Sequence, residues 1–333
     1  MHIRNLFKPI LNHKAMRVVK NFKAQADLSL VELPKWKAER MYIQGYRFIG
    51  KHSAIKICEW TKKGIRGCSQ CYKHQFYGIS SLQCIQMTPT AFFCDFNCLH
   101  CWRSLNFTLP KQGFKWESPE FIINNCIKEH IKCLQGFKRD KDRHETIKEA
   151  EKPKHFAISL SGEPAIYPYL SEMIDLIKQK GMTAFLVTNG AHPDKIKFLL
   201  KHQPTNLYVS LHAPNKELFK KECCPMIKDG WKNLNETLSL LKEFDCNTVI
   251  RLTLSKQSNM FYPEQYAKII ESSNPKFVEV KGYMAIGGAR AKMGPKAMPS
   301  FQEISDFAKE IKKNGSYRII DKSEKSNVVL MSK

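Results

Sequence analysis

The chain has 333 residues, which suits one large domain with a sizeable core. No run of about 18 apolar residues and no secretory signal occurs, so no membrane span is expected and a cytoplasmic location is. The formal net charge is +23; such a field suits a polyanion, most plausibly a nucleic acid, and on charge alone a solvated lysine-rich surface is an equal reading. Residues 1–57 hold twelve Lys or Arg against three Asp or Glu. Lysine outnumbers arginine, which suggests phosphate contacts more than base reading.

In chain order, residues 1–33 read as a basic extension and 34–88 as a region outside the regular pattern. Residues 89–333 read as a repeating core. "TAFFCD" (90–95) is predicted to be the first strand and "PEFIINNCIKEHIKCL" (119–134) its helix. The charged stretch 137–154 reads as an insertion. Strands are expected at 155–160, 183–190, 206–213, 247–254 and 277–283, with helices at 167–181, 192–202, 231–244, 262–272 and 301–315. Strand and helix therefore alternate six times, which implies an α/β fold with a parallel sheet and helices outside. No Gly-x-Gly-x-x-Gly fingerprint appears, so a barrel or partial barrel fits better than a dinucleotide-binding sheet. In such folds the site lies where the strands end.

Twelve cysteines are present, seven of them between Cys58 and Cys101. In a cytosolic chain this clustering argues for metal rather than disulfides. Cys126 and Cys133 lie seven apart on a predicted helix and are expected to serve the core. In "CDFNCLHCWR" the spacing is Cys94-x3-Cys98-x2-Cys101. A closed zinc site wants four ligands, and His100 is strained to serve beside Cys101. Three thiolates on a four-iron cluster leave one iron open to a substrate.

This motif, with aromatic His100 before its last cysteine, resembles that of the radical S-adenosylmethionine (SAM) superfamily. The resemblance implies a (βα)6 partial TIM-like barrel in which the open iron chelates SAM and the cluster's electron yields a 5′-deoxyadenosyl radical. It makes Gly162 and Glu163 of "SLSGEP", Thr188 and Asn189 of "TNG", Ser210 and Arg251 candidates for SAM contacts. The plainer readings are a turn with a surface acid, an Asn-Gly turn and a buried ion pair.

Upstream, Cys58, Cys71 and Cys84 are spaced Cys-x12-Cys-x12-Cys. The neighbouring Cys68-x2-Cys71 keeps a zinc knuckle open. "KICEW", "CYKHQFYGI", "CIQMTP", "CDFNCLHCWR", "ISLSGEPAIYPYL" and "YRIIDKSEKSNVVLM" resemble, in order, the archaeal-type 4-demethylwyosine synthase family, from about residue 34 onward. That family is a carbon–carbon lyase class that joins a two-carbon piece of pyruvate to N1-methylguanosine at position 37 of tRNA-Phe, giving 4-demethylwyosine. The resemblance implies that Cys58, Cys71 and Cys84 hold a second [4Fe-4S] cluster, and that Lys73 forms a Schiff base with pyruvate. It also implies that the methylene radical of the base adds to the keto carbon and that the carboxyl fragment leaves. The flipped guanine needs aromatic and Arg partners, for which Trp102 and Arg103 are candidates, with core packing the alternative for Trp102. The flavodoxin-like domain fused in eukaryotic relatives is absent, so a separate flavodoxin- or ferredoxin-like electron donor and a monomer are expected. A radical SAM enzyme acting on another RNA, protein or metabolite is the alternative. A non-catalytic zinc protein that binds RNA is the reading from another class.

Overall fold

The computed structural model describes residues 35–103, 107–138 and 141–333, so the basic extension 1–33 lies outside the described residues. One ten-stranded sheet organises them. Its strands in chain order are β1 (Arg47–Ile49), β2 (Ser53–Ile55), β3 (Cys84–Thr88), β4 (His155–Ile158), β5 (Thr183–Thr188), β6 (Asn206–Ser210), β7 (Asn247–Leu254), β8 (Phe277–Gly282), β9 (Arg318–Ser323) and β10 (Val328–Ser332). The spatial order is β1-β2-β3-β4-β5-β6-β7-β8-β10-β9. Strands β3 to β8 run parallel, each beside its predecessor. The β1–β2 hairpin extends one edge and the β9–β10 hairpin the other, all antiparallel.

Side chains alternate between the faces of a strand. Ile85, Met87, Phe156, Ile158, Leu186, Val209, Ile250 and Val280 face one way and join the main core. Helices deliver the rest of that core, among them Pro119–Leu134 through Ile122, Ile123 and Cys126, and Phe301–Lys313 through Ile304, Phe307 and Ile311. Ser118 caps the first of these, accepting from the Phe121 N–H, and Ser300 with Glu303 forms a capping box on the second. The opposite face carries Cys84, Gln86, Ser159, Tyr208, Ser210, Arg251, Thr253, Glu279 and Lys281. The cross-strand pairs Ser210↔Arg251, Arg251↔Glu279 and Thr253↔Lys281 fix them side by side. The polar residues of the strands thus collect on one surface.

The first parallel strand is "CIQMT" at 84–88, not "TAFFCD" at 90–95. The apolar run 90–95 is loop: the Ala91 N–H donates to the His52 carbonyl and Phe93 N–H to that of Thr90. Its apolarity reflects burial of Phe92 and Phe93 rather than a strand. The insertion 137–154 contributes the short helix His144–Ala150. The C-terminal hairpin β9–β10 was not anticipated. Among the described residues no helix is long and apolar enough to cross a membrane.

Candidate active site

The loop after β3 carries Cys94, Cys98 and Cys101, and all three line one cavity of about 350 Å³. Gly162, Ser210, His100, Arg103 and Arg251 line it too. Several backbone contacts brace the loop. The Leu99 N–H donates to the Glu222 carbonyl at 2.8 Å and Met226 N–H to that of Asp95 at 2.8 Å. His100 Nδ1 lies 2.6 Å from the buried Glu222 carboxylate, and its ring centroid is 4.0 Å from that of His212.

Gly162 has φ +69°, and a Cβ there would lie 1.8 Å from the Thr90 carbonyl oxygen and 2.5 Å from that of Phe93. The glycine therefore lets the "SGEP" turn close onto the cysteine loop, besides facing the cavity. Glu163, Thr188 and Asn189 are not among the residues lining this cavity. They form one bonded set behind it. The Glu163 carboxylate accepts from Thr188 Oγ1 (2.7 Å), the Asn189 N–H (2.7 Å) and the Ala165 N–H (2.9 Å). Asn189 Nδ2 reaches Cys94 Sγ at 3.7 Å. Burial raises Glu163 to about 7 against the pull of those donors.

Cys58, Cys71 and Cys84 line a second cavity of about 230 Å³. Cys58 and Cys71 stand immediately before the helices Glu59–Ile65 and Tyr72–Tyr77, and Cys84 opens β3. The far-apart spacing in sequence thus converges in space. The two cavities share Trp102, Ser159 and Arg251 as walls. Lys73 lines the second, with Nζ 4.4 Å from the Tyr208 ring centroid and 5.2 Å from that of Phe185. Its pKa is lowered, first by desolvation and then by the Arg251 charge.

Arg251 is anchored. Its Nε donates to Glu279 at 2.8 Å and its Nη2 to Tyr72 Oη at 3.0 Å. The fully buried Glu279 also accepts from Tyr72 Oη (2.9 Å) and Tyr77 Oη (2.8 Å). Glu279, Tyr77 and Lys281 were missed in the sequence. The signal was available, since "FVEVKG" alternates charge with apolar residues just as "VIRL" does around Arg251.

The residues fit iron–sulfur clusters. Among the described residues no three metal-binding side chains converge on a single ion; a four-iron cluster instead needs thiolates ringing a cavity. Burial raises the Cys71 thiol to about 11 and Cys84 to about 12, and pushes Cys94 and Cys101 up. In each of Cys71, Cys94 and Cys101 the backbone two residues on opposes this rise, as suits a thiolate held on a metal. Cys126 is fully buried in the core.

The radical SAM superfamily model matches residues 88–270, and the model described as wyosine base formation matches 272–333. A tRNA 4-demethylwyosine synthase from Pyrococcus horikoshii is 42% identical over 90% of this chain and 89% of its own length. The chain belongs to the tRNA 4-demethylwyosine synthase family of radical SAM enzymes. A solved structure of TYW1 with a lysine–pyruvate adduct bound superposes with a TM-score of 0.82, at 36% identity over 90% of this chain and 96% of that one. A crystal structure of archaeal TYW1 gives 0.75 at 34% identity, with the same coverage. The radical SAM match takes in the first cysteine loop and strands β4 to β7. The wyosine base formation match takes in the end of the helix Pro263–Ser273, β8 to β10 and the helix Phe301–Lys313.

Proposed function

We propose that this family member divides its reaction between the two cavities, working on a sheet that curves as a partial barrel. It is a SAM-dependent radical enzyme that forms 4-demethylwyosine on tRNA. Cys94, Cys98 and Cys101 would hold one [4Fe-4S] cluster in the first cavity, and Cys58, Cys71 and Cys84 a second one beside Lys73. When bound, the first cluster and SAM supply the carbon radical that activates the N1-methyl group of guanosine 37 in tRNA-Phe. Gly162, Ser210 and His100 line the SAM cavity. Glu163, Thr188 and Asn189 act from behind, holding the loop of Cys94.

Lys73 is the residue for pyruvate. A solved relative carries a lysine–pyruvate adduct, and Lys73 is the lysine that lines the cavity of the second trio, with aromatic faces and, among the described residues, no ion pair. That environment favours the neutral amine a Schiff base needs. Arg251, shared by both cavities, supplies fixed positive charge for the pyruvate carboxylate. Trp102 stands between the cavities, where the methylene carbon and the keto carbon must meet. Electrons come from a separate carrier.

The observation that carries this reading is that two three-cysteine cavities share walls, with Lys73 in one of them. The test is anaerobic incubation with SAM, a chemical reductant, pyruvate and tRNA bearing N1-methylguanosine, followed by mass spectrometry of digested RNA. Wild type adds two carbons to the base. Lys73→Ala keeps cleaving SAM but loses the product by a hundredfold or more, and borohydride no longer traps pyruvate on the chain. Full activity of Lys73→Ala would remove the Schiff base from the scheme.

A further inference from the structure

Among the described residues nothing answers the buried Nε and Nη1 of Arg103. It is 6% exposed, and its Nε and Nη1 are buried without a hydrogen-bond partner. Arg251, by contrast, meets Glu279 at 2.8 Å. The groups that influence Arg103 are the Tyr46 phenol and the thiols of Cys101 and Cys58, none of them a carboxylate. Burying a guanidinium without an acceptor costs several kcal/mol, on the order of the loss when a buried pair is broken. Such a group is retained where something absent from the polypeptide answers it.

Its place narrows the acceptor. Arg103 lines the first cavity and follows Cys101 by two residues, and its charge acts on the Cys101 thiol. The guanidinium carbon lies over the Trp102 ring, 2.9 Å from its centroid, which confines it there. Trp102 is held in turn: its carbonyl accepts from the Gly288 N–H at 2.8 Å. A Cβ on Gly287 would come within 2.2 Å of that carbonyl oxygen. The cation is therefore stationed on the Cys101 side of the cavity rather than free to swing to the surface.

We propose that Arg103 is a hydrogen-bond donor to the iron–sulfur cluster held by Cys94, Cys98 and Cys101, its Nε–H and Nη1–H meeting cluster sulfides and making that cluster easier to reduce. This rests on the radical SAM reading of the first cavity. Three thiolates on a four-iron cluster give net negative charge, and reduction adds one more electron. A fixed cation and N–H donors stabilise the reduced form more than the oxidised form, so they raise the potential.

The test uses the full chain, reconstituted anaerobically with iron and sulfide, as wild type, Arg103→Gln and Arg103→Lys. Each is titrated with a one-electron chemical reductant without SAM and followed by electron paramagnetic resonance. SAM is then added to mark the first cluster by its changed spectrum. Arg103→Gln should shift the midpoint of the SAM-responsive cluster to more negative potential. Arg103→Lys keeps the charge but loses the planar fork, so it should shift it less. Iron content and thermal midpoint are measured alongside. An unchanged midpoint in Arg103→Gln at full iron content overturns the inference. So does a shift confined to the cluster that ignores SAM, or one that emerges only once SAM is bound, which would make the SAM carboxylate the acceptor. Should Arg103→Gln take up no iron, Arg103→Lys decides: no negative shift overturns the inference. A wild-type chain whose spectrum ignores SAM would overturn the radical SAM reading itself, and the inference with it.

Discussion

Lys73 and Arg251 differ in what answers their charge. Arg251 has Glu279 at 2.8 Å and two tyrosine hydroxyls sharing that carboxylate. Among the described residues Lys73 makes no ion pair; its Nζ faces the Tyr208 and Phe185 rings, and burial and the Arg251 charge outweigh the pull of Glu279. One side chain is a paired cation and the other an unpaired one. Glu279 holds this division, so Glu279→Gln should leave Arg251 uncompensated and destabilise the chain by about 3–5 kcal/mol. Urea unfolding of the cluster-free protein measures it. The double variant Arg251→Met, Glu279→Leu should lose less than the sum of its single changes, because both ends of the ion pair go together. Additive losses would show that the pair is not the structural unit. Arg251 and Glu279 are legible in the sequence as charges inside apolar strands. The unpaired state of Arg103 is not, because it depends on Tyr46, Cys58 and Trp102 arriving from distant parts of the chain.

At the scale of elements, the five strands from β4 to β8 and their helices follow from apolar periodicity, and their bounds shift by a few residues. The first parallel strand was misplaced for a physical reason. Cys84 and Gln86 of "CIQMT" face the second cysteine cavity and break the apolar run, so the segment looks less like a buried strand than the apolar loop "TAFFCD" does. The β9–β10 hairpin was invisible because β9 alternates exposed and half-buried residues at a sheet edge. The helix Pro119–Leu134 offers a pH test at a residue that lines neither cysteine cavity. His130 is 1% exposed, its Nε2 meets the Ala150 carbonyl at 3.2 Å, and burial lowers it to about 4 from 6.5. The folded state therefore refuses a proton that the unfolded chain accepts below about 6.5. Stability is full above that pH and falls as pH drops toward 4, by on the order of 2–3 kcal/mol. His130→Gln should flatten the thermal midpoint against pH over that window relative to wild type. Parallel curves for the two proteins would mean that His130 takes up its proton in the fold as readily as in the unfolded chain.

For the whole molecule, charge and chemistry are separable. The cysteine trios and Lys73 lie on one polar face of the sheet, while much of the +23 charge is spread elsewhere. Residues 1–24 carry six Lys or Arg and no acid. A chain that must seat a tRNA and turn out one base needs a sequence-independent hold on the phosphates besides the site itself. Each phosphate contact contributes to the fall of affinity with salt, roughly 0.9 in the logarithmic slope on duplex and 0.7 on single strands. Removing residues 1–24 should therefore weaken tRNA binding and make the plot of log affinity against log salt shallower by several tenths or more. SAM cleavage without tRNA should be untouched, because every residue lining the first cavity lies beyond residue 93. Filter binding across a salt series, beside a cleavage assay, separates the two effects. Equal slopes and equal affinity at physiological salt would assign the charge of this segment to solubility alone. A loss of SAM cleavage would place the segment in the catalytic fold instead.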